Sequence, residues 1–454
     1  MDTPVSKIRS AKLELYRKKG KIHAKAVSGR FNTLRWSMVW LTQIVFYGAC
    51  WLQWQVDGAS RPAILFDIAH EKLYLFGLVL WPQDALLLAI ALILAALGLF
   101  FVTALAGRLF CGFACPQTVY TSLFVWIESR IEGDHLARLK LDSAPPSAGK
   151  AIRKLTKHAI WLLIAAWTAI SFVGYFTPIR ELLPALAELA VGPWESFWLL
   201  FYGSFTYIQA GLAREAVCQH MCPYARFQGV MFDPATRNVA YDSRRGEPRQ
   251  AGGDCIDCGI CVEVCPTGID IRQGLQYQCI NCGLCIDACD QVMARTGKPG
   301  GLIRFASEWE LSGQPGTSNR PRLAVYLALL TVFLTLGAWT LDQRSLLLVD
   351  VIRDRGALLR EMPDGRIENA YTLKLMNLAD HEQELSIGAE GIPNLSIVGP
   401  QRFLVPAGSI RPVQLTLAAP GGTALSGLQP IRLNITSPHA GGQQVSEKTS
   451  FALP

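Results

Sequence analysis

The stretch of sequence that decides the fold is a pair of four-cysteine runs between residues 255 and 289. The first run reads Cys255-Ile-Asp-Cys258-Gly-Ile-Cys261-Val-Glu-Val-Cys265-Pro, and the second reads Cys279-Ile-Asn-Cys282-Gly-Leu-Cys285-Ile-Asp-Ala-Cys289-Asp. Each run has the spacing Cys-x2-Cys-x2-Cys-x3-Cys, which is the pattern of bacterial two-cluster ferredoxins. We therefore expect a ferredoxin module that holds two 4Fe–4S clusters.

The spacing also predicts which cysteines bind each cluster. Three closely spaced thiolates hold three corners of a cubane, and the distant cysteine of the other run supplies the fourth corner. Cluster one is expected to use Cys255, Cys258, Cys261 and Cys289, and cluster two is expected to use Cys279, Cys282, Cys285 and Cys265. Two zinc sites are the alternative, but zinc sites favour paired Cys-x2-Cys units over two successive four-cysteine runs.

A second cysteine signal is a repeated Cys-x3-Cys-Pro unit. It occurs as Cys111-Gly-Phe-Ala-Cys115-Pro and as Cys218-Gln-His-Met-Cys222-Pro. An i, i+4 spacing places both sulfurs of a pair on one helix face, and the proline predicts a helix break at the second cysteine. Because the whole unit is duplicated, the four thiols could come together at the membrane surface.

Several roles are open for these four thiols. They could bind a soft metal ion, for which thiolates favour copper, hold another redox centre, or act as a redox-active dithiol pair. Inert burial in packing is the structural alternative. His220 and Met221, inside the second unit, are candidate additional ligands.

The rest of the chain has the composition of a membrane protein. Of its 454 residues, 50% are hydrophobic and 17% are charged, whereas soluble domains have about 25% charged residues. Segments long and apolar enough to span a bilayer are predicted at residues 36–56, 84–106, 158–176, 193–212 and 323–341. The apolar segment 64–81 is interrupted by charged residues, so an interfacial or re-entrant position is predicted for it.

Lysine and arginine predict the orientation of these five spans. They are dense before the first span and between the second and third, and sparse in the loops after the first and third. The positive-inside rule then places the N-terminus and the ferredoxin module in the cytoplasm of a bacterial cell and the C-terminal part in the periplasm. The net charge of +7 is therefore a topology signal, and we expect a membrane partner and no nucleic acid.

The region after residue 342 predicts an immunoglobulin-like β-sandwich. Residues 370–375, 412–417 and 431–436 alternate apolar and polar side chains between turn signals. The predicted fold is thus a polytopic α-helical membrane protein with five spans, an inserted α+β ferredoxin module and a C-terminal sandwich. Its predicted parts are a basic cytoplasmic tail (1–35), a four-span bundle with both Cys-x3-Cys-Pro units (36–230), the cytoplasmic ferredoxin module (231–322), a fifth span (323–341) and the periplasmic sandwich (342–454).

This order of features closely resembles the CcoG/FixG/RdxA family. The strings Cys111-Gly-Phe-Ala-Cys115-Pro-Gln-Thr-Val-Tyr and Cys222-Pro-Tyr-Ala-Arg-Phe-Gln look like signatures of that family. The resemblance implies a cupric reductase that converts Cu(II) to Cu(I) for the assembly of cbb-type cytochrome oxidase. Copper would be a substrate or bound ion, held by Cys111, Cys115, Cys218 and Cys222 and reduced by electrons from the clusters.

The resemblance also implies partners. These are an unidentified cytoplasmic electron donor, copper transport proteins and assembly factors of cbb-type oxidase, and a homo-oligomer is a further option. Two other functions fit the same residues. The first is a quinol dehydrogenase, because the combination of Cys-x3-Cys-Pro pairs with a ferredoxin module resembles NapH and NosR. The second is a non-catalytic assembly scaffold whose outer sandwich binds oxidase subunits.

Overall fold

The chain folds into two compact units. The computed structural model describes residues 22–56, 59–250, 252–314, 320–354, 359–379, 381–421, 426–437 and 444–454. One unit comprises Met1–Trp51 and Ile90–Leu334, and the other comprises Leu52–Ala89 and Thr335–Pro454. Residues 1–21, which carry most of the predicted basic tail, lie outside the described residues.

Helices form most of the first unit. The α-helices in the described residues are α1 (Arg30–Ala49), α2 (Ala85–Ala106), α3 (Leu109–Phe113), α4 (Pro116–Glu132), α5 (His135–Ser143), α6 (Ala148–Val173), α7 (Ile179–Ala187), α8 (Pro193–Thr206), α9 (Pro223–Met231), α10 (Ser243–Gly246), α11 (Ile260–Glu263), α12 (Leu284–Arg295), α13 (Glu308–Ser312) and α14 (Pro321–Asp342). Two π-helical segments follow α8, at Tyr207–Ala213 and Val217–Met221. Short 3₁₀ turns cover Pro82–Asp84 and Ile271–Gln273.

The helices fit a polytopic membrane protein. By length and composition, four helical stretches among the described residues can cross a membrane, namely Pro82–Ala106, Leu109–Glu132, Ala148–Val173 and Pro321–Asp342. Three of them coincide with predicted spans, and the other two predicted spans contain the less apolar helices α1 and α8. The side chains of α14 are not buried against the rest of the chain, so this helix offers an apolar surface that lipid would cover.

The stretch Leu109–Glu132 differs from the expectation, which places a cytoplasmic loop there. Its two acidic residues, Glu128 and Glu132, are fully buried. Lys157 of α6 lies 3.5 Å from Glu128 and 2.8 Å from Glu132, and Arg214 lies 2.6 Å from Glu128. Buried charges are tolerated when they are paired in this way, so the sequence underestimates how well this stretch packs within the helical bundle.

The segment predicted as interfacial or re-entrant forms β-structure. It folds into a meander of β3 (Ile64–Asp67), β4 (Lys72–Leu75) and β5 (Leu78–Leu80), and the pair β1 (Gln53–Val56) and β2 (Ala59–Pro62) precedes it. The first predicted span accordingly ends early, at Ala49. The polar residues that interrupt the apolar run form the β3–β4 turn, where Asp67 accepts hydrogen bonds from the backbone and ring of His70.

The C-terminal part of the second unit is an immunoglobulin-like sandwich, as predicted. Its strands are β8 (Leu347–Arg353), β9 (Arg360–Glu361), β10 (Ile367–Asn377), β11 (Gln383–Glu390), β12 (Ser396–Val398), β13 (Arg402–Val405), β14 (Ser409–Ala419), β15 (Gly427–Thr436) and β16 (Gln444–Leu453). One antiparallel sheet has the order β12-β14-β10-β8, with β9 beside β10, and the other has the order β13-β11-β15-β16. The three predicted alternating runs lie in β10, β14 and β15. Their inward side chains form the core between the sheets.

The β3–β5 meander packs on this sandwich within the second unit. Arg344 donates hydrogen bonds to both carboxylate oxygens of Asp84, at 2.9 and 2.6 Å. Trp81 packs in an apolar core with Met376 and Leu378. A bidentate Arg–Asp pair fixes the relative orientation of the two side chains as well as their distance. The β3–β5 meander is therefore an extension of the sandwich.

The N-terminus of α1 is fixed by the ferredoxin helix α12. The carboxylate of Asp287 accepts hydrogen bonds from the backbone N–H groups of Phe31 and Asn32, at 3.1 and 2.8 Å. The first N–H groups of a helix have no hydrogen-bond partner within that helix. A negative charge near this end also interacts favourably with the helix dipole. Helix α1 is therefore attached directly to the ferredoxin module.

Replacing Asn369 with Ala should loosen the sandwich. The Asn369 side chain is buried, donates to the carbonyl of Ala452 and accepts from its N–H, and so links the two sheets. Loss of the amide leaves two buried backbone groups unsatisfied, at a cost of about 2 kcal/mol. Hydrogen exchange of the full-length protein should show faster exchange in β10 and β16. Lys374→Ala, at an exposed position of β10, is the matched control, and equal exchange in both variants would contradict this role.

Candidate iron–sulfur and thiol site

The two four-cysteine runs follow the same backbone course. Asp257 and Asn281 occupy equivalent positions and both are left-handed, with φ of 56° and 54°. Gly259 and Gly283, two residues later in each run, have φ of 71° and 74° and begin helices α11 and α12. Successive turns of this kind form backbone concavities that bind anionic groups through N–H donors. The internal repeat of the sequence is thus also a structural repeat.

The fold gathers the eight cysteines of the two runs around two separate cavities. The cavity that we call the cluster-one cavity is lined by Cys255, Cys258, Cys261 and Cys289. The cluster-two cavity is lined by Cys265, Cys279, Cys282 and Cys285, with Cys261 at its boundary. In each case the fourth thiol comes from the other run, so the residues present fit one cubane per cavity.

Burial raises the pKa of several thiols in these cavities. It raises the pKa of Cys261 to about 11 and those of Cys279 and Cys289 to about 12. The charges of Cys261 and Asp290 add to the effect at Cys289. A cluster binds thiolates, so its insertion releases these protons and becomes more favourable as the pH rises.

The two cavities differ in their access to solvent. Cys258 of the cluster-one cavity is exposed, whereas Cys282 of the cluster-two cavity is buried. Cys282 and Cys285 share an apolar core with Cys111, which belongs to the first Cys-x3-Cys-Pro unit. The cluster-two cavity therefore lies on the inner side of the module, next to the membrane helices.

Both Cys-x3-Cys-Pro units lie across a helix break. Cys111 lies in α3 and Cys115 caps α4, which begins at Pro116. Cys218 lies in the second π-helical segment, and Cys222 caps α9, which begins at Pro223. The predicted break at each second cysteine is confirmed, but the expectation of two sulfurs on one continuous helix face is wrong because the helix ends between them.

The four thiols of these units lie near one another, and we call them the thiol quartet: Cys111, Cys115, Cys218 and Cys222. Cys111 lies within electrostatic range of the other three thiols. Burial, and after it the nearby Cys115 and Cys222 thiols, raise the pKa of Cys218 to about 11. In the part of the chain that the structure describes, however, no three histidine, cysteine or acidic side chains converge closely enough to hold one metal ion as they are placed.

A close backbone contact joins the quartet to the cluster-two cavity. A Cβ atom on Gly112 would lie 2.7 Å from the carbonyl oxygen of Ile280 and 3.0 Å from the Cα of Cys282. Only glycine allows helix α3 to approach the Cys279–Cys282 loop this closely. The sequence contains Gly112 but gives no sign of this contact, because the contact joins residues about 170 positions apart.

Arg108 lies between the two groups of thiols, a role that the sequence does not reveal. Its buried guanidinium is within electrostatic range of Cys111, Cys218, Cys222 and Cys279. It donates to the carbonyl oxygens of Tyr277 and Ala225. In the sequence Arg108 is one more basic residue of a cytoplasmic loop; in the structure its positive charge stabilises negative charge on these thiols.

The residues near the quartet differ in whether they contact its thiols. Cys111 donates a hydrogen bond to Oε1 of the buried Gln228, at 3.2 Å, and Gln228 in turn donates to Thr103, at 3.3 Å. The structure places His220 and Met221 on the exposed surface, with Met221 66% exposed. Their positions therefore do not support the predicted ligand role.

The fold and these sites define a membrane-bound iron–sulfur electron-transfer protein. Family models match it in three places: a 4Fe-4S binding domain at residues 88–133, a 4Fe-4S dicluster domain at 213–308 and the IG-like fold at the C-terminus of FixG at 337–454. The first model includes one Cys-x3-Cys-Pro unit, and the second includes the other unit together with both four-cysteine runs.

Relatives extend this likeness over almost the whole chain. The nitrogen fixation protein FixG of Rhizobium meliloti is 37% identical, covering 84% of this chain and 81% of that protein. Protein RdxA of Cereibacter sphaeroides is 38% identical, covering 96% and 98%. The chain therefore belongs to the FixG/RdxA family. A crystal structure of a FixG-related protein from Vibrio parahaemolyticus is 25% identical and covers 24% of this chain and 98% of that one, with a TM-score of 0.23.

Replacing Gly112 with Ala should disturb the cluster-two cavity. The added methyl group meets backbone atoms that cannot move aside, and such overpacking costs about 1–3 kcal/mol. We expect the purified variant to hold less than the about eight irons of two cubanes. Iron analysis of the purified protein measures this. Gly98→Ala in α2, where a Cβ meets no atom within 4 Å, is the control, and full iron content in both variants would refute the contact.

Proposed function

We propose that this protein is a cupric reductase that binds Cu(II) at the thiol quartet, reduces it to Cu(I) and supplies it to the assembly of cbb-type cytochrome oxidase. The observation that carries this proposal is the position of Cys111. It packs in one core with Cys282 and Cys285 and lies within electrostatic range of the other quartet thiols. Copper bound there would lie beside an iron–sulfur cavity.

The proposed ligands of the two clusters are the cysteines that line each cavity. Cluster one uses Cys255, Cys258, Cys261 and Cys289, and cluster two uses Cys265, Cys279, Cys282 and Cys285. When bound, 4Fe–4S clusters supply one electron at a time, which is the stoichiometry of Cu(II) reduction to Cu(I). Thiolate ligands favour Cu(I), the product ion.

The quartet has features that suit it to a copper ion. Cys115 and Cys222 cap the N-termini of α4 and α9, and the positive end of a helix dipole suits an anionic set of metal ligands. Cys218 lies in a π-helical segment, and such segments are frequent at functional sites. The thiols have to draw together to coordinate one ion, and the helix breaks beside them provide the freedom to do so.

The distribution of lysine and arginine supports a cytoplasmic ferredoxin module and a periplasmic sandwich. In that orientation the exposed Cys258 faces the cytoplasm. An electron donor would approach cluster one from this side, and copper transport and oxidase assembly factors would receive Cu(I) from the quartet.

Removal of quartet thiols should abolish copper reduction without removing the clusters. In full-length protein reduced anaerobically with dithionite and freed of excess reductant, Cys111→Ser and Cys218→Ser should slow Cu(I) formation by more than about 100-fold. The reason is that even loss of an outer partner of a metal ligand costs about 10–100-fold. A Cu(I)-specific chelator measures the rate.

Cys50→Ser is the matched control, because Cys50 is buried at the end of α1 and its thiol donates to the carbonyl of Tyr47. Unchanged copper reduction in the quartet variants would contradict the proposal. Iron content above about eight per chain, falling when the quartet is removed, would instead assign another iron–sulfur centre to these thiols. Normal oxidase assembly after removal of the four-cysteine runs would favour the scaffold function.

A specific observation also favours quinol oxidation as a second candidate function. An open cavity of about 910 Å³ lies between α1, α4, α6 and α8, and Pro116 beside Cys115 forms part of its wall. Aromatic side chains line it, including Tyr120, Phe172 and Tyr202. Gln43 also lines it, is 6% exposed, and its Oε1 has no hydrogen-bond partner among the described residues. A planar hydroxylated ring fits such a lining.

Quinol oxidation releases two electrons and two protons, and two clusters can accept one electron each. Replacing Gln43 with Leu should raise the KM for a water-soluble quinol about fivefold, since one hydrogen bond contributes about 1 kcal/mol. Bleaching of cluster absorbance in the copper-free protein measures the reaction. Gln53→Leu, in β1, is the control. Wild-type clusters that stay oxidised with excess quinol would exclude this candidate.

A further inference from the structure

A second large cavity, which we call the arginine cavity, lies between α1, α4 and the ferredoxin module. It encloses about 970 Å³, part of it open to the surroundings. Its apolar wall includes Val39, Val125 and the indoles of Trp36 and Trp126, whose ring centroids are 6.1 Å apart in an edge-to-face arrangement. This wall is ordinary for a helical bundle, but the charged residues that share the cavity are not.

Three arginines that line this cavity are almost completely buried. Arg35, Arg138 and Arg214 are 8%, 2% and 4% exposed. Each uses part of its guanidinium in the protein. Arg35 donates to Ser122 at 2.7 Å, Arg138 donates to the carbonyl of Ala24 at 2.8 Å, and Arg214 donates to Glu128 at 2.6 Å. These contacts fix the three planar groups in position.

Each arginine also keeps donors that form no hydrogen bond in the described part of the chain. Nε of Arg35, Nε and Nη1 of Arg138 and Nη1 of Arg214 are buried and form no hydrogen bond among the described residues. A buried donor left unpaired costs about 1–3 kcal/mol, so three arginines with such donors around one cavity are an unusual arrangement. An acceptor that enters the cavity would remove this cost.

The charges around the cavity do not balance. Glu128 lies 2.6 Å from Arg214 and 3.8 Å from Arg138, but it also pairs with Lys157 at 3.5 Å. Arg35 forms no ion pair with any described residue. Lys25, which pairs with Glu263 at 3.2 Å, and Glu215 also line the cavity, so its lining holds four basic side chains and one acidic side chain among the described residues. The cavity therefore carries an excess of positive charge that a bound anion would neutralise.

We propose that the arginine cavity binds the phosphate group of an anionic membrane phospholipid. Guanidinium groups match phosphate oxygens in charge and in the geometry of paired donors. Basic pockets between membrane helices suit anionic head groups, and tryptophans are enriched at the level of the head groups. The apolar wall of Val39, Val125, Trp36 and Trp126 then covers the glycerol and upper acyl region. A free phosphate shares the head-group chemistry but makes no use of this wall.

Binding to the full-length protein in detergent tests the proposal. Native mass spectrometry of wild-type protein purified from membranes should show a retained phosphatidylglycerol or cardiolipin. After delipidation, titration with phosphatidylglycerol should show at least tenfold tighter binding to wild type than to Arg35→Gln. Arg35→Lys, which keeps the charge, should recover part of the difference. Arg237→Gln, an exposed arginine of the ferredoxin module, should bind as wild type does, and cluster absorbance checks that each variant is folded.

Parallel titrations with phosphatidylglycerol and with inorganic phosphate distinguish a lipid head group from a free phosphate as the bound anion. Binding of phosphatidylglycerol, with phosphatidylcholine and inorganic phosphate bound at least tenfold more weakly, supports the proposal. Binding of inorganic phosphate as tightly as of phosphatidylglycerol would overturn the lipid assignment. Wild-type protein that binds neither ligand, or an Arg35→Gln variant that binds phosphatidylglycerol as tightly as wild type, would overturn the site itself.

Discussion

The close approach of helix α3 to the Cys279–Cys282 loop, made possible by the absence of a side chain at Gly112, is the contact on which the site depends. It brings the backbone that carries Cys111 against the backbone that carries Cys282, and it does so at the end of a membrane helix. Without it the ferredoxin module and the thiol quartet would be two separate cysteine groups. With it, Cys111 of the quartet packs in one core with Cys282 and Cys285 of the ferredoxin module.

Other polar contacts hold this arrangement in place from several directions. Asp287 caps the N-terminus of α1. Asn281 donates to Asn238 at 2.8 Å and accepts from the backbone of Val239, so the loop of the second run is tied to strand β6 (Asn238–Tyr241). Strand β6 pairs in turn with β7 (Ile303–Ala306). Each such bond contributes only about 1 kcal/mol, but together they fix the module relative to the helices that carry the quartet.

The parts of the structure that the sequence predicts correctly are those in which the spacing of residues along the chain limits which side chains can meet. The runs that begin at Cys255 and Cys279 imply which thiols can reach one cubane, and the alternation in strands β10 and β14 implies their inward faces. Prediction from the sequence failed where tertiary partners change what a residue type means. Glu128 and Glu132 lie in a buried helix where a loop was predicted. Asp67 and His70 form a β-turn within the segment that was predicted to be an interrupted apolar run, and Arg108 was counted as a topology signal. The meeting of the quartet also depends on packing between distant helices, which no spacing reveals.

X-ray absorption at the copper edge tests most directly whether the quartet holds the copper that this protein is proposed to reduce. After anaerobic addition of one equivalent of Cu(II) to the reduced full-length protein, we expect a Cu(I) edge and a first coordination shell of sulfur, with that shell lost in a Cys111→Ser, Cys218→Ser double variant. A first shell of nitrogen and oxygen alone, or a sulfur shell that is unchanged in the double variant, would contradict it.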